Sequence, residues 1–151
     1  KKSLFFLITI MVSFSLKAIT FEIIGACDKS PLYKGHYEVK DFSQNAGHLT
    51  LAIFKKLGIN FNGRESIIKD IEGIPGENDY LSTGGGNYKI FGWCYEVNGV
   101  QPAFYINKYH FSSNHDHLKW ILGFASFKDG KWAEYCKPSF SLRPPLFCGT
   151  E

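Results

Sequence analysis

Four cysteines, Cys27, Cys94, Cys136 and Cys148, constrain this chain most, because all four follow an apolar N-terminal run. Lys1 and Lys2 form a basic start, residues 3–16 are uncharged and largely apolar, and Lys17 ends the run before the small residue Ala18. A bilayer-spanning helix needs about 20 apolar residues, so residues 1–18 read as a secretory signal peptide. The chain is therefore expected to be exported, periplasmic or secreted. An even number of cysteines in an oxidising compartment reads as two disulfides. No two are spaced as CxxC, which argues against a structural zinc site or a thioredoxin-type motif. Three connectivities exist, and Cys94 with Cys136 plus Cys27 with Cys148 is favoured because the second would tie the two ends of the mature chain together. Residues 24–27 also resemble a lipobox, but Lys17 and Glu22 would fall in its apolar segment, which disfavours lipidation at Cys27.

Removing the leader changes the charge. The full sequence has 17 Lys and Arg against 14 Asp and Glu, and without Lys1, Lys2 and Lys17 it holds 14 of each. A neutral chain lacks the basic face that phosphate neutralisation demands, so nucleic acid is not an expected partner. No membrane association is expected after leader cleavage. The mature length fits one core, and aromatic residues at 17% are abundant enough to fill it or to line a binding surface.

Local patterns give the fold class. Residues 19–26 and 36–42 read as strands, the first closed by the turn residues Asp28, Ser30 and Pro31. Ser43 is expected to cap a helix, with Ala46, Leu49, Ile53 and Leu57 on one face and Gly58 as its left-handed stop. Residues 66–71 read as a strand and residues 77–87 as a polar loop. The three glycines 84–86 are expected to connect a hairpin, since neither GK[ST] nor a helix follows them. Residues 88–97 form a strong strand ending at the Asn98-Gly99 turn, and residues 102–111 read as extended chain. Residues 117–127 and 131–136 form a hairpin about Asp129-Gly130. The tail with Pro138, Pro144 and Pro145 is expected to be irregular. These elements imply an α+β fold, a β-grasp-like mixed sheet packed on one helix with an extra C-terminal hairpin. The expected boundaries are 1–18 for the leader, 19–137 for the domain and 138–151 for a Pro-rich tail tied by a disulfide.

Gly92-Trp93-Cys94-Tyr95-Glu96-Val97-Asn98-Gly99 resembles the GW-x-Y-x-VNG signature of the bacterial transcobalamin-like C-terminal domain family, a domain of unknown function. Asp116 to Trp120 resembles that family's GD-x-I-x-W strand, and the helix falls where the family has one. The resemblance covers residues 19–125 and implies an exported module whose ligand is a small molecule, corrinoid-like or other, or a partner protein.

Two groups of residues could carry function. Trp93 and Tyr95 alternate onto one sheet face opposite Cys94; with Trp120, they would suit a flat ring or a sugar if part of that face stays exposed. Its rims would be the 77–87 loop, which carries Tyr80, and the 105–117 segment, which begins at Tyr105. His110, His115 and His117 with Asp116 could ligate a metal, although on a strand Asp116 would point away from His115 and His117. No G-x-S-x-G elbow, free thiol with a histidine or paired carboxylates appear, so the expected role is non-catalytic binding without a cofactor. The competing reading is a small secreted metal-dependent enzyme or hydrolase using the 110–117 region.

Overall fold

The computed structural model describes residues 18–113 and 115–149. The expected leader, apart from Ala18, lies outside the described residues. Its expected cleavage residue, Ala18, opens the first strand, β1 (Ala18–Ile24), which pairs antiparallel with β2 (Pro31–Glu38). A 12-residue helix, α1 (Ala46–Leu57), follows. Next come a small hairpin of β3 (Phe61–Arg64) and β4 (Ile67–Ile71), then β5 (Tyr80–Gly84) and β6 (Asn87–Val97). A long connection carrying a 3-10 turn (Ile106–Lys108) leads to β7 (His117–Lys128) and β8 (Lys131–Pro138). The main sheet runs β2-β1-β7-β6-β5, with β1 and β7 parallel and its other neighbours antiparallel. This is the expected α+β architecture: a mixed sheet packed on one helix, with a C-terminal hairpin.

Strand β7 is the spine. Its first half pairs on one edge with β1, Thr20 opposite His117 through Ile24 opposite Ile121; its second half pairs on that same edge with β8. The other edge pairs with β6 along ten residues. Alternation puts Leu118, Trp120, Leu122 and Phe124 on the face toward the helix, with Phe21 and Ile23 beside them. Leu49, Ile53 and Phe54 of α1 close over that face. Trp120 is 2% exposed, its indole N–H donates to Thr50 Oγ1 at 3.3 Å, and its ring lies 6.4 Å from that of Phe54. Burying such side chains stabilises by about 1.5–3 kcal/mol each.

Several boundaries differ from expectation. Asn45, not Ser43, caps α1: its Oδ1 accepts from His48 N–H at 2.8 Å, while Ser43 N–H is held by Asp41 Oδ1 at 2.8 Å in the preceding turn. Gly58 closes the helix at φ 68°, as its position implied. The second strand begins at Pro31, five residues ahead of the expected start, because the Asp28–Ser30 turn is tight enough for pairing to begin at once. The 77–87 segment is not all loop, since β5 pairs with β6 through the three glycines, each at positive φ. The 102–111 segment is not extended but contains the 3-10 turn. The tail is partly ordered as a 3-10 turn (Ser139–Ser141) and a short helix, α2 (Pro145–Cys148).

Cys27 bonds Cys148 with 5.4 Å between Cα atoms, and Cys94 bonds Cys136 with 5.9 Å. That is the connectivity favoured from the sequence. The first crosslink spans 121 residues, and closing so long a loop removes about 4–5 kcal/mol of unfolded-state freedom in the chain-entropy account.

Gly47, in the first turn of α1, lies against the β3–β4 turn: a Cβ there would sit 1.9 Å from the Glu65 carbonyl oxygen. The backbone approach has no room for a methyl group. Gly47→Ala is therefore expected to lower stability by about 1–3 kcal/mol, despite the helix preference of alanine, as read from chemical denaturation midpoints.

Candidate functional site

Beyond Ile90, β5 no longer accompanies β6, and a cleft of about 610 Å³ opens along the bare flank of β6. Trp93, Tyr95 and Trp120 form its floor, Ile67 and the 101–106 segment one wall, and Tyr135 with the Cys94–Cys136 disulfide the other. Among its described lining residues there is no Asp, Glu, Lys, Arg or His.

The floor is fixed from within. Trp93 Nε1 donates to the Ile74 carbonyl at 2.6 Å, and the Tyr95 hydroxyl donates to the Phe104 carbonyl at 2.7 Å. Burial, and secondarily the neighbouring Tyr109, pushes the Tyr95 hydroxyl up to about 12, so it remains a donor at neutral pH. These rings offer apolar surface, because their polar atoms are already engaged.

The 101–106 wall is held from both ends. On its near side, Val97 and Val100 exchange two backbone hydrogen bonds of 2.9 and 3.0 Å about Asn98 and Gly99, whose φ values of 54° and 76° match the two-residue turn that Asn-Gly favours. On its far side, Ala46 N–H donates to the Tyr109 carbonyl at 2.8 Å, docking the segment on the start of α1. The return into β7 is clamped by Asp116. Its carboxylate is buried and accepts from Ser112 N–H, Ser113 N–H and Asn98 Nδ2 at 2.9–3.0 Å.

The opposite wall depends on a bulge. Ser126 pairs with Ala133 but Phe124 pairs with Lys137, so the three residues Glu134, Tyr135 and Cys136 stand opposite Ala125 alone. Glu134 and Cys136 take φ values of 54° and 52°. Glu134 is held by Ser126 Oγ at 2.7 Å and Lys89 at 3.3 Å, in that order of effect, and its carboxyl sits below the usual range. The bulge carries Cys136 across β7 to Cys94 on β6, over Gly123. A Cβ on Gly123 would lie 3.1 Å from Cys136 Cα and 3.2 Å from Cys94 Sγ.

The sequence-predicted ligand residues separate into two groups. Trp93, Tyr95, Trp120 and Tyr105 meet at the cleft, Tyr105 as an exposed rim residue and Trp120 as a nearly buried floor. Tyr80 does not join them. It lines a different hollow of about 600 Å³ with Glu77, Asp79 and Tyr88, because its pairing opposite Ile90 puts it on the sheet face away from Trp93 and Tyr95. Ile67, Phe104 and Tyr135 were missed as lining residues. Tyr135 had a readable signal: it adjoins Cys136, whose favoured partner Cys94 sits between Trp93 and Tyr95.

The predicted metal residues are not brought together. His110 bridges to Asn45 beside the helix, His115 lies in the exposed turn, and His117 faces the outer side of the sheet. Among the described residues no three His, Cys, Asp or Glu side chains are grouped to hold a metal ion. Asp116 points inward as the clamp described above.

His117 Nε2 instead lies 3.2 Å from Glu22 Oε2, a charge contact without hydrogen-bond alignment, while Lys34 Nζ approaches Glu22 Oε1 at 2.7 Å. Burial works to raise the Glu22 carboxyl, but the Lys34 hydrogen bond and the charges of His117, Lys34 and Lys119 overcome it and leave it below its ordinary value. A lowered folded-state value means the contribution is complete above the unfolded value of about 4.5 and is lost as pH falls through the folded one.

No protein-family model matches the chain, and no curated protein matches it in sequence. The crystal structure of "a putative metal binding protein from Ruminococcus gnavus ATCC 29149" superposes with a TM-score of 0.40 at 14% sequence identity, covering 71% of this chain and 98% of that one. No helix among the described residues is long and apolar enough to cross a membrane. The two disulfides are those of a protein that folds in an oxidising compartment.

Two outcomes are expected. Gly123→Val should prevent the Cys94–Cys136 crosslink from closing, read as two free thiols by mass after alkylation of the purified protein; full oxidation would show that β7 does not need glycine there. Glu22→Gln should flatten the loss of thermal stability below pH 4.5, and an unchanged acid limb would assign that loss to other carboxylates.

Proposed function

We propose that this chain is an exported binding module, performing no chemistry, that takes an uncharged apolar or aromatic group of a small molecule or partner protein into the cleft beside Trp93 and Tyr95. One observation carries the reading: a cleft of ligand size whose described lining is free of charged side chains and whose floor rings have their polar atoms satisfied internally. Such a surface gains by losing water and offers no counter-charge to an ion, a phosphate or a metal. Phe104, Tyr105 and Tyr135 stay 50%, 66% and 66% exposed at its mouth, where an incoming ring would bury them. The resemblance to the transcobalamin-like family belongs with this reading, since it implies a small-molecule ligand, corrinoid-like or other.

The test uses Nile red, a neutral planar dye, titrated into the disulfide-intact protein. Phe104→Ser and Tyr135→Ala should each weaken dye binding about tenfold, equal to roughly 1.4 kcal/mol, with thermal stability retained. Tyr80→Ala should leave it unchanged. Equal binding by all three variants, or loss in Tyr80→Ala alone, would remove the cleft from consideration.

A further inference from the structure

The cleft contains more than side chains. Asn98 N–H donates to the His117 carbonyl, so Asn98 faces β7, whereas Val97 turns its N–H and C=O away from β7 to meet Val100. Strand alternation carries this pattern back along β6: Glu96, Cys94 and Gly92 bond β7, and Tyr95, Trp93 and Phe91 direct their N–H and C=O groups to the opposite flank. At Lys89 and Asn87 that flank is satisfied by β5. From Phe91 to Tyr95 no described strand pairs with it, and no backbone hydrogen bond among the described residues reaches it. Alternate residues of a strand lie about 7 Å apart, so three residues present a ruler of amide donors and acceptors at the repeat of another strand.

We propose that this open flank of β6 is a strand-addition site, and that the occupant of the cleft is an extended, uncharged peptide segment that extends the line of β5. The proposal rests on the cleft reading above and names the partner for it. Main-chain amides satisfy main-chain amides in this geometry, and alternate side chains of an added strand would point to opposite walls. One wall holds Ile67 and Phe104, on the helix side of the sheet; the other holds Tyr135 and the crosslink, on its outer side. Both walls are uncharged and mainly apolar, with Ser66 and Gln101 as polar side chains of the lining, which selects a segment of aromatic, branched or small neutral residues.

The edge strand β2 is built differently. Strand β2 begins with Pro31, carries Lys34 outward to Glu22 and has no facing walls, features that block pairing at an edge. The β6 flank has neither proline nor lysine from Phe91 to Tyr95, and its recessed position keeps flat sheets from reaching it.

The experiment screens the disulfide-intact protein against a library of capped, uncharged heptapeptides composed of Thr, Val, Tyr and Phe. The tightest member is then remade with N-methyl groups on alternate amides, in the two alternative phases. One phase should lose at least tenfold in affinity and the other should bind within about twofold, because only one set of amides faces β6. Binding of the parent should slow hydrogen exchange at the Phe91, Trp93 and Tyr95 amides at least tenfold. Nile red binding with no peptide hit, or with both phases affected alike, would overturn strand addition while leaving the cleft reading in place. Loss of dye and peptide binding together would bring down both. Protection of the same amides by concentration-dependent dimerisation without peptide would assign the flank to a second copy and overturn the proposal.

Discussion

Everything in this fold depends on the parallel pairing of β1 with β7. Parallel strands cannot be joined by a tight turn, so the chain leaving Ile24 must return to the end of the sheet where β1 began before it enters β7 at His117. The helix, the β3–β4 hairpin and β5–β6 are all contained in that excursion. The helix covers the face that Phe21, Ile23, Leu118 and Trp120 create together, a face that neither strand could form alone. The long return through residues 98–116 then has to pass beside β6, and that passage makes the cleft wall.

The cleft is thus a product of mismatched lengths. Strand β6 has 11 residues and β5 only five, so part of β6 outruns its neighbour. The loop that would otherwise lie over this overhang is drawn off by its anchor on α1, where Ala46 meets Tyr109, and by the Asp116 clamp. What is left is concave, neutral and walled on both sides.

Much of this was legible in the sequence, and the reasons are local. Asn98-Gly99, Asp129-Gly130 and Gly58 are residues whose positive φ few others tolerate, so they fixed turns and a helix end with little ambiguity. Alternation in β6 correctly opposed Trp93 and Tyr95 to Cys94. What was missed is tertiary. Ser43 and Asn45 are both good caps, but both the hydroxyl and the amide of Ser43 are turned to Asp41 in the preceding turn, while Asn45 Oδ1 is the acceptor that meets the His48 amide. The hairpin partner of β4 was not recognised because Gly63 and Arg64 are poor strand formers, held there by pairing alone. The histidines looked clustered because they are near in sequence, yet a turn followed by a strand sends consecutive side chains in different directions. Tyr80 looked like a rim residue, but its pairing opposite Ile90 puts it on the other face of the sheet from Trp93 and Tyr95.

The bridge from Cys94 to Cys136 passes over an intervening strand, and this has a consequence for the cleft wall. In the fold the two sulfurs meet because β6, β7 and β8 lie side by side in register, with Gly123 beneath the crossing. The bond clamps β8 to β6 across β7, so the bulge that carries Tyr135 is fastened covalently and not by strand pairing alone. Reducing the crosslink would release that side of the cleft while leaving the Asp116 clamp on the other side in place.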